Sequence, residues 1–158
     1  GPKCDCGGRG CLEAISSGNA VARTAKERVG SGAESAILAL ANGDLNSIEA
    51  KTVFDAARSG DSLALEIADQ AIEYLGIALA GMITILDIEF IVLSGGMTHA
   101  GGFLTERLDA SVNRHKMSYI GQNTKIVISE FGSDAAAIGA ASLILNRWIE
   151  CGGNLSGI

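Results

Sequence analysis

Ile88-Glu89-Phe90-Ile91-Val92-Leu93-Ser94-Gly95-Gly96 is a short apolar run, rich in β-branched side chains and closed by a serine and two glycines. Its apolar residues are nearly continuous rather than alternating, which suits a parallel strand covered on both faces. A long helix precedes it. From Ser62 to about Leu86, the residues Leu65, Ile67, Ala68, Ile72, Leu75, Leu79 and Ile83 recur at helical spacing, and Asp61 stands at the N-cap position. The second half of this helix is apolar all round, so burial on several sides is expected. After the glycines, Phe103 to about His115 reads as helix and Lys125 to Ser129 as a second strand. Asp134 to Trp148 reads as a last helix capped by Ser133 or Asp134. Strand, helix, strand and helix make a right-handed crossover unit when the strands are parallel, so the fold class is α/β.

Toward the N-terminus the pattern is helical. Ala14, Val21, Ala22, Ala25 and Val29 mark a helix over Ile15 to Val29, with Ser16, Ser17 and Asn19 offering a cap or a local break near its start. Shorter helices are expected from about Ala33 to Ala41 and around Ser47 and Ala50 to Arg58. The chain is thus helix-rich with about two parallel strands. Two strands make a poor sheet by themselves, so further strands are expected upstream.

Bulk properties narrow the possibilities. A chain of 158 residues fits one domain. Its formal net charge of −6, with scattered basic residues, argues against nucleic-acid binding by this segment. The most apolar stretch, Tyr74 to Leu86, is shorter than the roughly 20 residues that cross a bilayer. It follows Glu66, Asp69 and Glu73, so a buried core helix and no membrane are expected. No leader-like segment opens the chain, and its cysteines read as reduced, so a cytoplasmic location is expected.

Cys4-Asp5-Cys6-Gly7-Gly8-Arg9-Gly10-Cys11 places three thiols in one short turn, with glycines that let the backbone fold back. Cys4 and Cys6 are too close to pair comfortably. Convergent thiolates suit a tetrahedral zinc ion, which takes four ligands, so a fourth must come from elsewhere. If a metal fixes Cys11, it also aims Glu13, which could then accept hydrogen bonds from paired sugar hydroxyls. A solvated acid in a first helical turn is the plainer reading of Glu13. Gly95 and Gly96, at the carboxyl end of a buried strand, could let a nucleotide approach the backbone, although a tight turn is the commoner meaning of such a pair. His99 and His115 read as surface histidines, either of which could fill a fourth metal position. Cys151 reads as part of a tail without a role.

Cys4 to Cys11 with Leu12-Glu13 and the following Ser17-Gly18 resemble the zinc-binding segment of the ROK family (repressor, open reading frame, kinase). Ile91-Val92-Leu93-Ser94-Gly95-Gly96 resembles the family's adenosine-side strand and loop, and Ser133-Asp134-Ala135-Ala136-Ala137-Ile138-Gly139-Ala140-Ala141 resembles its final helix. The resemblance runs in order along nearly the whole chain. It implies part of the C-terminal lobe of an actin-like, hexokinase-type ATPase fold. It divides residues 1–158 into a zinc-binding turn (1–14), a helical region (15–86), a strand-helix-strand-helix unit with the adenosine-side loop (87–150) and a tail (151–158).

The resemblance also implies an ATP-dependent kinase, using Mg, for a hexose or an N-acetylhexosamine. It makes Cys4, Cys6 and Cys11 zinc ligands, Glu13 a sugar contact, and Gly95 and Gly96 the loop against ATP. The family's remaining zinc ligand, its catalytic aspartate and its phosphate-binding glycine loops belong to upstream segments, so this chain alone is expected to be inactive. Two alternatives are a sugar-responsive ROK repressor and a non-catalytic assembly module. Apolar surface left where upstream strands would pack leads to the expectation of a homo-oligomer.

Overall fold

The computed structural model describes residues 1–152. The helices are α1 (Leu12–Ser16), α2 (Gly18–Gly30), α3 (Ala36–Leu40), α4 (Ala50–Arg58), α5 (Ser62–Leu86), α6 (Gly102–His115) and α7 (Ala135–Glu150). The strands are β1 (Phe90–Leu93) and β2 (Lys125–Ile128).

The long helix α5 is the axis of the molecule. Its buried residues, among them Leu63, Ile67, Ile72, Leu79 and Ile83, pack against α1, α2, α4 and α6. Asp61 starts it, accepting hydrogen bonds from the Ala64 amide at 2.8 Å, the Ala36 amide at 2.7 Å and the Ser35 hydroxyl at 2.9 Å. One carboxylate therefore ties the first turns of α3 and α5 together. Partial burial pushes its carboxyl up, but those donors outweigh burial and hold it below the ordinary aspartate value. The helix stops at Asp87, which adopts the left-handed conformation with φ 45° and gives its amide to the Ile83 carbonyl at 2.8 Å.

The predicted helix over Ile15 to Val29 is two helices. Ser17 takes extended backbone and caps α2, its Oγ accepting from the Ala20 amide at 3.1 Å. The buried Ser16 hydroxyl donates to the Ala71 carbonyl at 2.6 Å, which anchors α1 to α5. The local break offered by the serines is real, and it turns the chain sharply between α1 and α2.

The two strands pair in parallel, with Phe90 opposite Lys125 and Leu93 opposite Ile128. Contrary to the expectation from the unbroken apolar run, only one face of this pair is covered. Ile91 is buried and Ile126 half-buried on one side, whereas Phe90 and Val92 on the other are 59% and 63% exposed. The second half of α5 departs from expectation in the same way. Leu79 and Ile83 are buried, but Ile77, Met82 and Ile85 are exposed. No residue of α7 is buried, and Leu143, Leu145, Trp148 and Ile149 face solvent. A two-stranded sheet is too narrow to cover a helix on one face and the rest of the fold on the other, so the apolar pattern outruns the available partners.

Measured along its whole length, α5 is long and apolar enough to cross a membrane, with a mean hydropathy of 1.3 in its most apolar window. Its inner face nevertheless belongs to the main core cluster, as expected for a core helix. At the other end of the fold, Asp134 precedes α7 without a side-chain capping bond, and the side chain of Ser133 lies outside the described residues. Of the expected tail, Cys151 and Gly152 form a turn, and residues 153–158 lie outside the described part.

Candidate functional site

The cysteine turn is held by backbone bonds. The Cys4 amide donates to Gly8 O at 2.9 Å, the Gly7 amide to Cys4 O at 3.0 Å and the Gly10 amide to Pro2 O at 2.9 Å, and Lys3 and Arg9 form an antiparallel bridge. Gly7 and Gly10 have φ of 88° and 68°, values that side-chain-bearing residues adopt with strain. This folding brings the sulfurs of Cys4, Cys6 and Cys11 within 4.8 Å of one another, with Cys6 Sγ 3.6 Å from Cys11 Sγ.

The Gly8 N–H, followed by the Cys4 and Cys11 thiols, holds the Cys6 thiol below its ordinary value. The neighbouring Cys6 and Cys4 sulfurs push Cys11 up to about 11. Three thiols so placed compete for protons, and a cation among them relieves that competition. Tetrahedral zinc, at about 2.3 Å from each sulfur, spaces its ligands about 3.8 Å apart, so the turn fits three corners of such a site. Among the described residues, no histidine or carboxylate joins the cluster.

Cys11 is the residue immediately before α1, so the thiol turn leads directly into the first helical turn, where Glu13 sits exposed. Glu13 opens onto a cleft of about 350 Å³ that is also lined by Ser17, Gly18, Asn19, Leu75, Gly95 and Gly96. The fold thus joins two features that lie far apart in the sequence. Among the residues lining this cleft, Glu13 alone is ionisable. Its carboxylate can accept hydrogen bonds from hydroxyl groups, and the glycine loop offers a surface free of side chains.

Gly95 has φ 98°, and its carbonyl accepts from the Thr98 amide at 3.0 Å and the Thr98 hydroxyl at 2.7 Å, which fixes the loop. The first residue of α2 closes against this loop. A Cβ on Gly18 would lie 3.4 Å from Ala50 Cβ and 3.6 Å from the Gly96 carbonyl carbon. Beyond Gly18 and Gly96 a second cleft of about 390 Å³ continues, lined by polar residues including Lys26, Asn46, Glu49, Lys51 and His99.

The structure separates the two histidines. His99 is exposed at the rim of the second cleft. His115 has a partner that its local sequence did not reveal, since its Nε2 lies 2.6 Å from Glu73 Oε1. Glu73 also accepts from the Ser111 hydroxyl at 2.6 Å and from Arg114, and with these donors its carboxyl is held down to about 2. This cluster joins α5 to α6, and none of its residues lines either cleft. Sequence reasoning missed Asn19 and Leu75 in the Glu13 cleft. The Ser17-Gly18 break pointed toward Asn19, because it puts a helix start at that place.

The sequence pattern of the ROK family matches residues 1–147. The glucokinase of Thermotoga maritima is 40% identical over 148 residues, covering 93% of this chain and 46% of that protein. The DNA-binding transcriptional dual regulator NagC of Escherichia coli is 30% identical over 144 residues, covering 91% of this chain and 34% of that protein. Among solved structures, a ROK family glucokinase from Streptomyces griseus, crystallised with glucose and AMPPNP, superposes with a TM-score of 0.76 at 30% identity. That match covers 90% of this chain and 47% of the solved one. The chain spans less than half the length of the curated relatives it matches. The helix-rich architecture around a two-stranded parallel sheet is that of a partial actin-like, hexokinase-type fold.

Proposed function

The chain belongs to the ROK family, and on that premise we propose that it is the zinc-bearing, sugar-positioning part of an ATP-dependent sugar kinase of the glucokinase type. The substrate class is a hexose or an N-acetylhexosamine. The observation that carries this reading is the shared cleft, whose lining includes both Glu13, just after the cysteine turn, and Gly95 and Gly96 from the strand end. Likeness to two glucokinases, one of them crystallised with glucose and AMPPNP, supports it.

In this reading Glu13 accepts hydrogen bonds from paired sugar hydroxyls and fixes the sugar's orientation. Gly95 and Gly96 lie against ATP, whose phosphates carry Mg. Cys4, Cys6 and Cys11 hold zinc with a fourth ligand from outside the cluster. Bound zinc supplies a rigid anchor for the turn that aims Glu13. Phosphoryl transfer needs an in-line hydroxyl, a base and Mg-bound ATP. This chain contributes positioning, which is a large part of such catalysis. The segment boundaries proposed are the turn 1–14, the helical region 15–86, the crossover unit 87–150 and the tail 151–158. A cytoplasmic location and self-association complete the reading.

The likeness to NagC favours a second reading, a sugar-responsive repressor in which the same cleft senses the sugar. The test uses the complete polypeptide in which this chain occurs. Sugar-dependent formation of ADP and sugar phosphate supports the kinase. Sugar-relieved DNA binding without ADP formation selects the repressor.

A further inference from the structure

We propose that Cys6 and Cys11 are a thiol–disulfide modification site, oxidised reversibly by small disulfides of the glutathione class. The proposal concerns the same turn that is assigned above to zinc and would regulate it, but its chemistry needs only the cysteines.

Three features of the turn carry the inference. The Cys6 and Cys11 sulfurs are 3.6 Å apart, so bonding at about 2.05 Å asks for a closure of roughly 1.5 Å. Gly7, Gly8 and Gly10 lie between them, so the backbone can supply that movement. A Cβ on Gly8 would lie 3.4 Å from Cys11 Sγ and 3.5 Å from Cys6 Sγ, so both sulfurs rest over a residue that has no side chain to obstruct them. Cys6 is exposed and open to an incoming disulfide, while Cys11 and Cys4 are half-buried. Only Asp5 separates Cys4 from Cys6, a loop too short for unstrained pairing, which leaves Cys11 as the resolving thiol.

The exchange balances in two steps. Cys6 thiolate attacks one sulfur of glutathione disulfide, forms a mixed disulfide and releases one glutathione thiolate. Cys11 thiolate then attacks Cys6 Sγ and releases the second glutathione. The two protein thiols lose two electrons and two protons, and one glutathione disulfide becomes two glutathiones. The product removes two of the three thiolates from the cluster and retightens the turn immediately before α1, so Glu13 is re-aimed.

The test is mass mapping of the reduced, chelator-treated chain after exposure to glutathione disulfide, with the exposed Cys151 thiol, outside the cysteine turn, as the internal control. The expected product carries a Cys6–Cys11 link, an alkylatable Cys4 and glutathione on Cys151, and dithiothreitol reverses it. Cys11→Ser is expected to halt at a glutathione adduct on Cys6. Lasting glutathione on both Cys6 and Cys11 in the wild type, a link through Cys4, or an unreacted Cys6 beside a modified Cys151 would overturn the proposal. A parallel zinc titration of the reduced chain tests the zinc assignment separately. A link without zinc uptake removes only the zinc reading, and zinc uptake without a link removes only this one.

Discussion

Glu13, in the first turn of α1, and Gly96, just beyond β1, line one cleft although most of the helical region separates them in the chain. Two packing events create this juxtaposition. The Ser16 hydroxyl pins α1 to α5 through the Ala71 carbonyl, and the start of α2 at Gly18 lies against the glycine loop at Gly96.

Glu13→Gln in the complete polypeptide should weaken sugar binding tenfold to a hundredfold, about 1–3 kcal/mol, because a charge-assisted hydrogen bond becomes a neutral one. Cys11→Ser should do at least as much damage by loosening the turn that aims Glu13. Calorimetric titration with glucose and N-acetylglucosamine measures both effects. Wild-type affinity in Glu13→Gln would return this residue to the role of a solvated helix-start acid.

Gly76→Ala should destabilise the fold by about 1–3 kcal/mol, the usual range for overpacking. A Cβ on Gly76 would lie 2.1 Å from Ser111 Oγ and 2.5 Å from Ser111 Cβ, so α5 and α6 would have to separate. Adding Ser111→Gly to the same chain should recover part of the loss. Urea unfolding of the single and double variants checks this, and an unchanged midpoint in Gly76→Ala would contradict the close approach.

Glu73 gives a pH dependence with a defined sign. Its carboxyl is depressed from 4.5 to about 2 by the Ser111 hydroxyl, His115 and Arg114. Its stabilising contribution is therefore fully present above pH 4.5 and is lost as pH falls toward 2. The stabilities of wild type and Glu73→Gln should differ above that window and converge through it. Parallel curves across the acid range would place the Glu73 contacts outside the energetics of folding.

Self-association should occur through the uncovered apolar faces, where Ile85 is 81% exposed and Val92 63% exposed. Sedimentation should show a concentration-dependent dimer or larger species, and Ile85→Glu with Val92→Lys should shift it toward monomer. A monomeric wild type at high concentration would contradict this.

The sequence made the long helix legible because an N-capping aspartate at Asp61 runs directly into a helical apolar stripe from Leu65 to Ile83, whereas its stop at Asp87 came from the structure. The parallel strands were legible from β-branched runs, and the cysteine turn from spacing alone. Burial was less legible. The apolar residues of β1 and α7 state that a partner is wanted but not whether the chain supplies one, so Phe90 and Trp148 proved exposed. The bond between Glu73 and His115 was hidden because it depends on how α5 and α6 face each other, which no local pattern encodes. The cleft was half legible. Glu13 and the two glycines were visible separately, whereas Asn19 and Leu75 enter it only through the packing of α2 and α5.

The most direct test of the central claim is amide chemical-shift mapping on the zinc-loaded protein during separate titrations with sugar and with Mg-ATP. The account predicts that glucose or N-acetylglucosamine perturbs Glu13, Ser17, Gly18 and Asn19, and that Mg-ATP perturbs Gly95 and Gly96. Perturbations that leave these residues unmoved and gather elsewhere, such as at the polar cleft between Asp87 and Tyr119 at the opposite end of the strands, would contradict it.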